Sequence, residues 1–267
     1  CDSMWAARTR ASDGKIDLPR YRDADGWITE PGTTLRASRA IGIYTNLLAN
    51  VFVATCSAAD RSRLLDRGQA GMCGHATWHE GGYENRWVAF LSGEDPNWPA
   101  RSLADQIRRA ERHVRKLTDL RARAHAGETF KMPMQAGWCG PLVNQTTGGL
   151  MPLWHGQLLL ARFRYFDPAR KRPGLPADCA ALVETLEDDR ATLVLVNTSP
   201  DEARTVTVQA GGYAEHQFVS VAPAGGKAMK VDGTVFSVKL APGCGTRLDV
   251  RMRRYANQPT AAWPEMK

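Results

Sequence analysis

The sequence has no apolar run long enough to cross a bilayer: its best stretch, Asn46 to Ala54, is broken by Asn50, whereas a spanning helix takes about 20 apolar residues in succession. No membrane span is expected. There is no Cys-x-x-Cys pair either. Six cysteines, Cys1, Cys56, Cys73, Cys139, Cys179 and Cys244, are scattered without the spacing of a disulfide framework or a zinc ribbon. Mostly reduced, buried thiols are expected, which favours a reducing cytoplasm. The chain opens on Cys1 with no charged-then-apolar leader, so the competing expectation is an exported lipoprotein with a lipid-modified Cys1. A processed product and a piece of a larger chain are both open. Low-complexity tracts are missing too, and 43% hydrophobic with 24% charged residues is an ordinary globular balance.

What is present begins with charge. A formal net charge of +7 suits an acidic partner such as nucleic acid, anionic lipid or a uronic-acid polymer. The basic residues are spread out. Their densest stretches are Arg108 to Arg123, Arg162 to Arg172, and Arg251 to Arg254. Glu111 and Asp119 interrupt the first, and no stretch interleaves stacking aromatics regularly, so a solvated helix face is favoured over nucleic-acid binding.

The 267 residues suffice for one large domain or two ordinary ones. Residues 1–34 hold turn signals and little periodicity. Helical spacing follows over Leu35 to Cys56, then over Ala58 to Arg67, capped by Ser57 and ended by Gly68. A short helix is expected around Glu84 to Leu91. A long amphipathic one runs from Ser102 to about Ala126, with Leu103, Ile107, Ala110, Val114, Leu117 and Leu120 on one face. Gly127 to Gly156 reads as a long irregular connection.

From there the period changes to two. Strands are predicted over Gln157 to Phe166, Cys179 to Leu186, Ala191 to Asn197, Arg204 to Gln209, Glu215 to Val221, Val235 to Leu240 and Thr246 to Met252, separated by Gly, Pro and Asp turns. The predicted fold class is thus α+β, a helical N-terminal part followed by an antiparallel β-sandwich of six to eight strands. The expected divisions are residues 1–156, 157–256 and a tail at 257–267.

The densest chemistry lies in one short stretch: Cys73, His75, His79, Glu80, Tyr83 and Glu84. His75 or His79 suits a general base and Tyr83 an acid, with Glu80 beside them, for proton abstraction next to a carboxylate. The His-His spacing of four would align both rings on one helical face for a metal. The order, however, is not the His-Glu-x-x-His of zinc peptidases, so neither metal nor cofactor is expected. Arg86 and Arg162, with Trp138 and Asn144, are the expected substrate contacts, because guanidinium forks bind carboxylates bidentately. Cys139 and His155 form a further, weaker Cys-His candidate. The competing reading makes the histidines and Trp78, Tyr83 and Trp87 mere supports of an irregular loop.

Three resemblances add to this. The stretches Leu193 to Ser199, Arg204 to Val208 and Val235 to Gly243 resemble the closing strands of bacterial α/α-toroid plus β-sandwich enzymes, such as heparinase-like polysaccharide lyases. That resemblance covers about residues 157–253 and implies an architecture more than an activity. Trp87, Trp98 and the long helices resemble the toroid of linalool dehydratase-isomerase relatives, which implies an incomplete toroid completed by a larger chain or a partner subunit. Cys1-Asp2-Ser3 with Asp13-Gly14 is similar to dipeptidases with an amino-terminal cysteine nucleophile. The expected function is a lyase or hydrolase acting on an acidic or glycan-like substrate by general acid/base chemistry. A non-catalytic module that binds carbohydrate or protein is the alternative, and a Cys1 hydrolase a second one.

Overall fold

A computed structural model describes residues 2–10, 16–17, 21–22, 24–28, 49–69, 84–127, 139–150 and 159–264. The short helix α1 (Asp2–Ala6) is followed by two antiparallel pairs, β1 (Thr9–Arg10) with β2 (Ile16–Asp17) and β3 (Tyr21–Arg22) with β4 (Trp27–Ile28). Helical residues 49–55 form α2. Ser57 then starts α3 (Ala58–Gln69), accepting the Asp60 amide N–H at 3.1 Å and donating its hydroxyl to the Asp60 carboxylate. The expected stop at Gly68 is overrun by one residue. Next come α4 (Glu84–Leu91), as expected, and α5 (Trp98–His125). The latter begins four residues early because Pro99 sits in the first turn, where a missing N–H costs no helical bond.

The irregular connection expected over residues 127–156 contains a helix, α6 (Gly140–Thr147). Pro141 opens it and Gly148 ends it at φ 61°, the left-handed conformation that favours glycine.

Alternation of apolar and polar residues then builds two antiparallel sheets. One has the order β11-β10-β13-β8-β7 and the other β12-β9-β5-β6. The strands are β5 (Phe163–Asp167), β6 (Arg172–Pro173), β7 (Cys179–Leu186), β8 (Arg190–Asn197), β9 (Arg204–Ala210), β10 (Gln217–Pro223), β11 (Met229–Gly233), β12 (Val235–Leu240) and β13 (Gly245–Arg253). In β13, Leu248, Val250 and Met252 are buried between exposed Arg247, Asp249 and Arg251, the mark of a sheet with one dry face. Phe163 of one sheet stacks on Phe218 of the other at 6.2 Å, and Phe218 meets Phe236 edge-on at 4.8 Å.

The helical part followed by a sandwich is as predicted, with β6 and β11 added to the strands expected. Strand β5 begins at Phe163 rather than Gln157, and Glu215 and His216 precede β10 rather than opening it. The cluster of buried apolar residues runs unbroken from Phe52, Leu64, Trp87 and Trp98 of the helices to Val183 and Leu193 of the sandwich. The tail does not stand apart: Asn257 donates its backbone N–H to Glu215, Thr260 donates to Tyr213, and Trp263 packs edge-on against Phe166 at 5.1 Å.

The amphipathic pattern of α5 is met differently from its expectation. Its buried residues are Trp98, Ser102, Gln106 and Leu120. Of the predicted apolar face only Leu120 is buried; Leu103, Ile107, Val114 and Leu117 are 48%, 51%, 62% and 37% exposed. Among the described cysteines Cys56 is buried, Cys179 half-buried and Cys139 and Cys244 exposed, and none is in a disulfide. No described helix is long and apolar enough to cross a membrane.

Candidate functional site

Of the residues singled out by sequence, Cys1, Cys73, His75, His79, Glu80, Tyr83, Trp138 and His155 lie outside the described residues. Their flanks are described. Tyr83 immediately precedes α4, Trp138 immediately precedes Cys139 at the N-cap of α6, and α4 packs on α6 as well as on α3, α5 and β7. Arg86 stands exposed on the first turn of α4, whereas the next residue, Trp87, is fully buried and lies edge-on to Phe52 at 6.2 Å.

Asn144 is buried in α6. With its amide nitrogen turned to the carbonyls it donates to Gly140 O at 2.9 Å and Gly149 O at 3.1 Å, locking both ends of the helix. Arg162 lies beside it in the fold, its backbone N–H donating to Thr147 O at 2.9 Å. Arg86 and Arg162 do not share a face: Arg162 is 3% exposed and turns inward.

The Arg162 guanidinium donates to Asp188 O at 2.9 Å, to Met252 Sδ at 3.4 Å and to Cys56 Sγ at 3.0 Å. It therefore ties α2 to the β7–β8 turn and to β13. Burial pushes its pKa down, and neighbouring Arg254 pushes the same way, offset in part by Cys56, Tyr255 and Asp188. Arg254 pairs with Asp188 and donates to Ala54 O at 2.6 Å.

His216 belongs to the same junction. Its Nδ1 accepts the Tyr255 backbone N–H at 3.0 Å, which leaves the proton of the neutral ring on Nε2. Burial, then Arg162 and Arg254, push its pKa down to about 3. A backbone hydrogen bond of Glu215 acts weakly in the opposite direction; the Glu215 carboxylate, whose Oε1 lies 3.9 Å from Nε2, accepts from the Gly212 and Tyr213 N–H groups at 3.2 and 2.7 Å. This arrangement holds a neutral imidazole as an acceptor and gives it no nucleophile to activate.

A cleft of about 330 Å³ opens on the sandwich between Asp167, Arg170, Pro176, Ala177, Ala203 and Arg204. The Asp167 and Arg204 charges are already engaged. Asp167 accepts the Arg170 N–H at 3.2 Å and faces Arg172 at 3.5 Å, and Arg204 pairs with Asp178 at 3.0 Å and with Glu202.

The helical side differs. Trp87 Nε1 on α4, Ser102 Oγ and His113 Nε2 on α5, and Gln145 Nε2 on α6 are buried polar atoms with no hydrogen-bond partner. Folded proteins satisfy nearly all such atoms, and each exception has a cause such as local strain, an ordered water, an ion or a reacting group. Elsewhere among the described residues, the Nε atoms of Arg61 on α3 and of Arg254 just after β13 share this condition, and the forks of both arginines are bonded. The orphaned atoms of Trp87 and Gln145 are donors only, and Ser102 can donate, so the helical side offers hydrogens to an oxygen-rich ligand. Sequence reasoning did not find Ser102 or Gln145, since neither sits in a motif; only their positions inside a helix group reveal them. Among the described residues no three His, Cys, Asp or Glu side chains gather as metal ligands. No family model matches the chain, and no curated protein or solved structure matches it.

Proposed function

We propose that the chain is a lyase-like protein acting on an acidic, glycan-like substrate, with its chemistry on the helical side and the sandwich as its support. One observation carries this reading. Trp87, Ser102 and Gln145 present buried hydrogen-bonding atoms without partners on three helices that pack together, and hydroxyls and carboxylates of a uronate are the acceptors such donors lack. The sandwich offers less: the unpartnered buried atom described there, Arg254 Nε, belongs to a guanidinium whose fork is bonded within the protein.

The chemistry is read from the sequence between α3 and α4. His75 or His79 takes the proton from the carbon next to the substrate carboxylate. The bond from the neighbouring carbon to the glycosidic oxygen breaks as a carbon–carbon double bond forms, and Tyr83 gives its proton to the departing oxygen. In this reading Arg86, which is exposed one residue before Trp87, neutralises the carboxylate and so eases removal of the adjacent proton. Glu80 orients the basic ring. Trp138 precedes α6 and would line the sugar face.

Gln145→Leu separates this reading from a purely structural one. Removing a buried, unpartnered amide should raise thermal stability by about 1 kcal/mol, while calorimetric titration with a uronate oligosaccharide should show at least tenfold weaker binding than the wild type. Equal affinity in both proteins would remove the helical side as the substrate site. Tight binding with no turnover would instead favour the non-catalytic carbohydrate-binding module.

A further inference from the structure

We propose that the cleft at the end of the four-stranded sheet binds a neutral sugar ring. It opens where β5 ends at Asp167 and β9 begins at Arg204, beside the turns that lead into and out of β6. Its volume of about 330 Å³ is in the size class of small-ligand sites. This inference does not depend on the reading of the helical side.

Asp167 is the observation that points to a ligand. Its side chain lines the cleft and is 4% exposed, yet among the described residues its carboxylate accepts one hydrogen bond, at Oδ1 from the Arg170 N–H at 3.2 Å. Oδ2 faces Arg172 Nε at 3.5 Å, outside the range of about 2.7 to 3.2 Å of an N–H···O bond. A buried carboxylate ordinarily fills its acceptor sites, because each one left empty keeps its desolvation cost. The guanidinium beside it already supplies a countercharge. What Asp167 lacks is a hydrogen-bond donor.

The rest of the lining complements it. Arg170 is exposed, and its guanidinium has no carboxylate partner among the described residues; Thr205 adds a half-buried hydroxyl. Pro168, Pro176, Ala177 and Ala203 form an apolar wall with no large side chain. A sugar hydroxyl donates and accepts at once, so neighbouring hydroxyls of one ring can give a proton to Asp167 and take hydrogen bonds from Arg170 and Thr205, while the ring's C–H groups pack on the wall. Charge favours a neutral ligand, since the guanidiniums of Arg170, Arg172 and Arg204 are balanced by the carboxylates of Asp167, Asp178 and Glu202. The walls are also held in advance: Arg204 Nε donates to Ala177 O at 3.2 Å, Gly174 N–H to Tyr165 O at 2.8 Å and Thr198 N–H to Asp178 O at 2.7 Å. A site already shaped loses less on binding.

Saturation-transfer NMR of the full chain tests this, with methyl pyranosides that span the axial and equatorial settings of each hydroxyl. At least one should bind saturably with millimolar affinity, as suits a single ring held by a few hydrogen bonds. Ala203→Trp fills the cleft from an exposed position and should abolish the signal with an unchanged unfolding midpoint. Arg170→Ala, also exposed, should weaken binding about tenfold, and Asp167→Asn, which keeps the shape and removes the charge, should do the same. No saturable binding of any glycoside would overturn the proposal, as would binding that survives Ala203→Trp. A methyl uronate that binds more tightly than every neutral glycoside would overturn the assignment of a neutral ligand.

Discussion

Arg162 and His216 show how the same residue types serve structure or chemistry according to what surrounds them. The sequence places Arg162 beside basic neighbours and suggests a carboxylate clamp, yet its fork meets Asp188 O, Met252 Sδ and Cys56 Sγ and is 3% exposed. Arg162→Ala should therefore lower stability by about 3 kcal/mol, through a cavity and lost buried hydrogen bonds, as read from the denaturant midpoint. The pH response belongs to His216. Its folded pKa, about 3, lies below the unfolded value near 6.5, so the unfolded chain binds the extra proton between these values. Stability from this group is whole above about pH 6.5 and falls as pH drops towards 3, by about 5 kcal/mol at most. His216→Gln should flatten that decline between pH 6.5 and 4 in a series of thermal midpoints; an unchanged slope would assign the acid sensitivity to other groups.

At the scale of elements, the junctions are more demanding than the strands. A Cβ on Gly149 would lie 1.8 Å from Leu160 O, where the end of α6 meets the approach to β5, so Gly149→Ala should cost on the order of 3 kcal/mol or more and lower soluble yield. Ser57→Ala removes the acceptor of the Asp60 N–H and should cost about 1 kcal/mol by the same unfolding measurement. At Asp60, burial pushes the carboxyl pKa up, but hydrogen bonds from Thr55 and Ser57 and the charge of Arg63 bring it below the ordinary value. Strands β7, β8, β9, β12 and β13 were legible because alternation and turn residues bound each of them. Helix α6 was not, because its two threonines and Asn144 are weak helix formers; Pro141 and Gly148 at its ends were the available signal. On α5 the apolar pattern was legible but its burial was not, since periodicity shows that a face exists and not what covers it.

For the whole molecule, helices and sandwich share a continuous apolar core, while unmet hydrogen-bonding capacity gathers on α4, α5 and α6. That contrast was invisible in the sequence, where Ser102 reads as the start of a helix and Gln145 as part of an irregular connection. The cluster of His75, His79, Glu80 and Tyr83 is a reading of the sequence alone and lies outside the described residues. On the proposed reading the sandwich is the support and the helical side carries the chemistry. The most direct measurement is β-elimination by the purified chain on a panel of uronic-acid polysaccharides, following the unsaturated product by its absorbance, with His75→Ala and His79→Ala alongside. The account predicts product from the wild type and at least a hundredfold loss in one of the two variants. A well-folded wild type that makes no product, or equal rates in all three proteins, would contradict it.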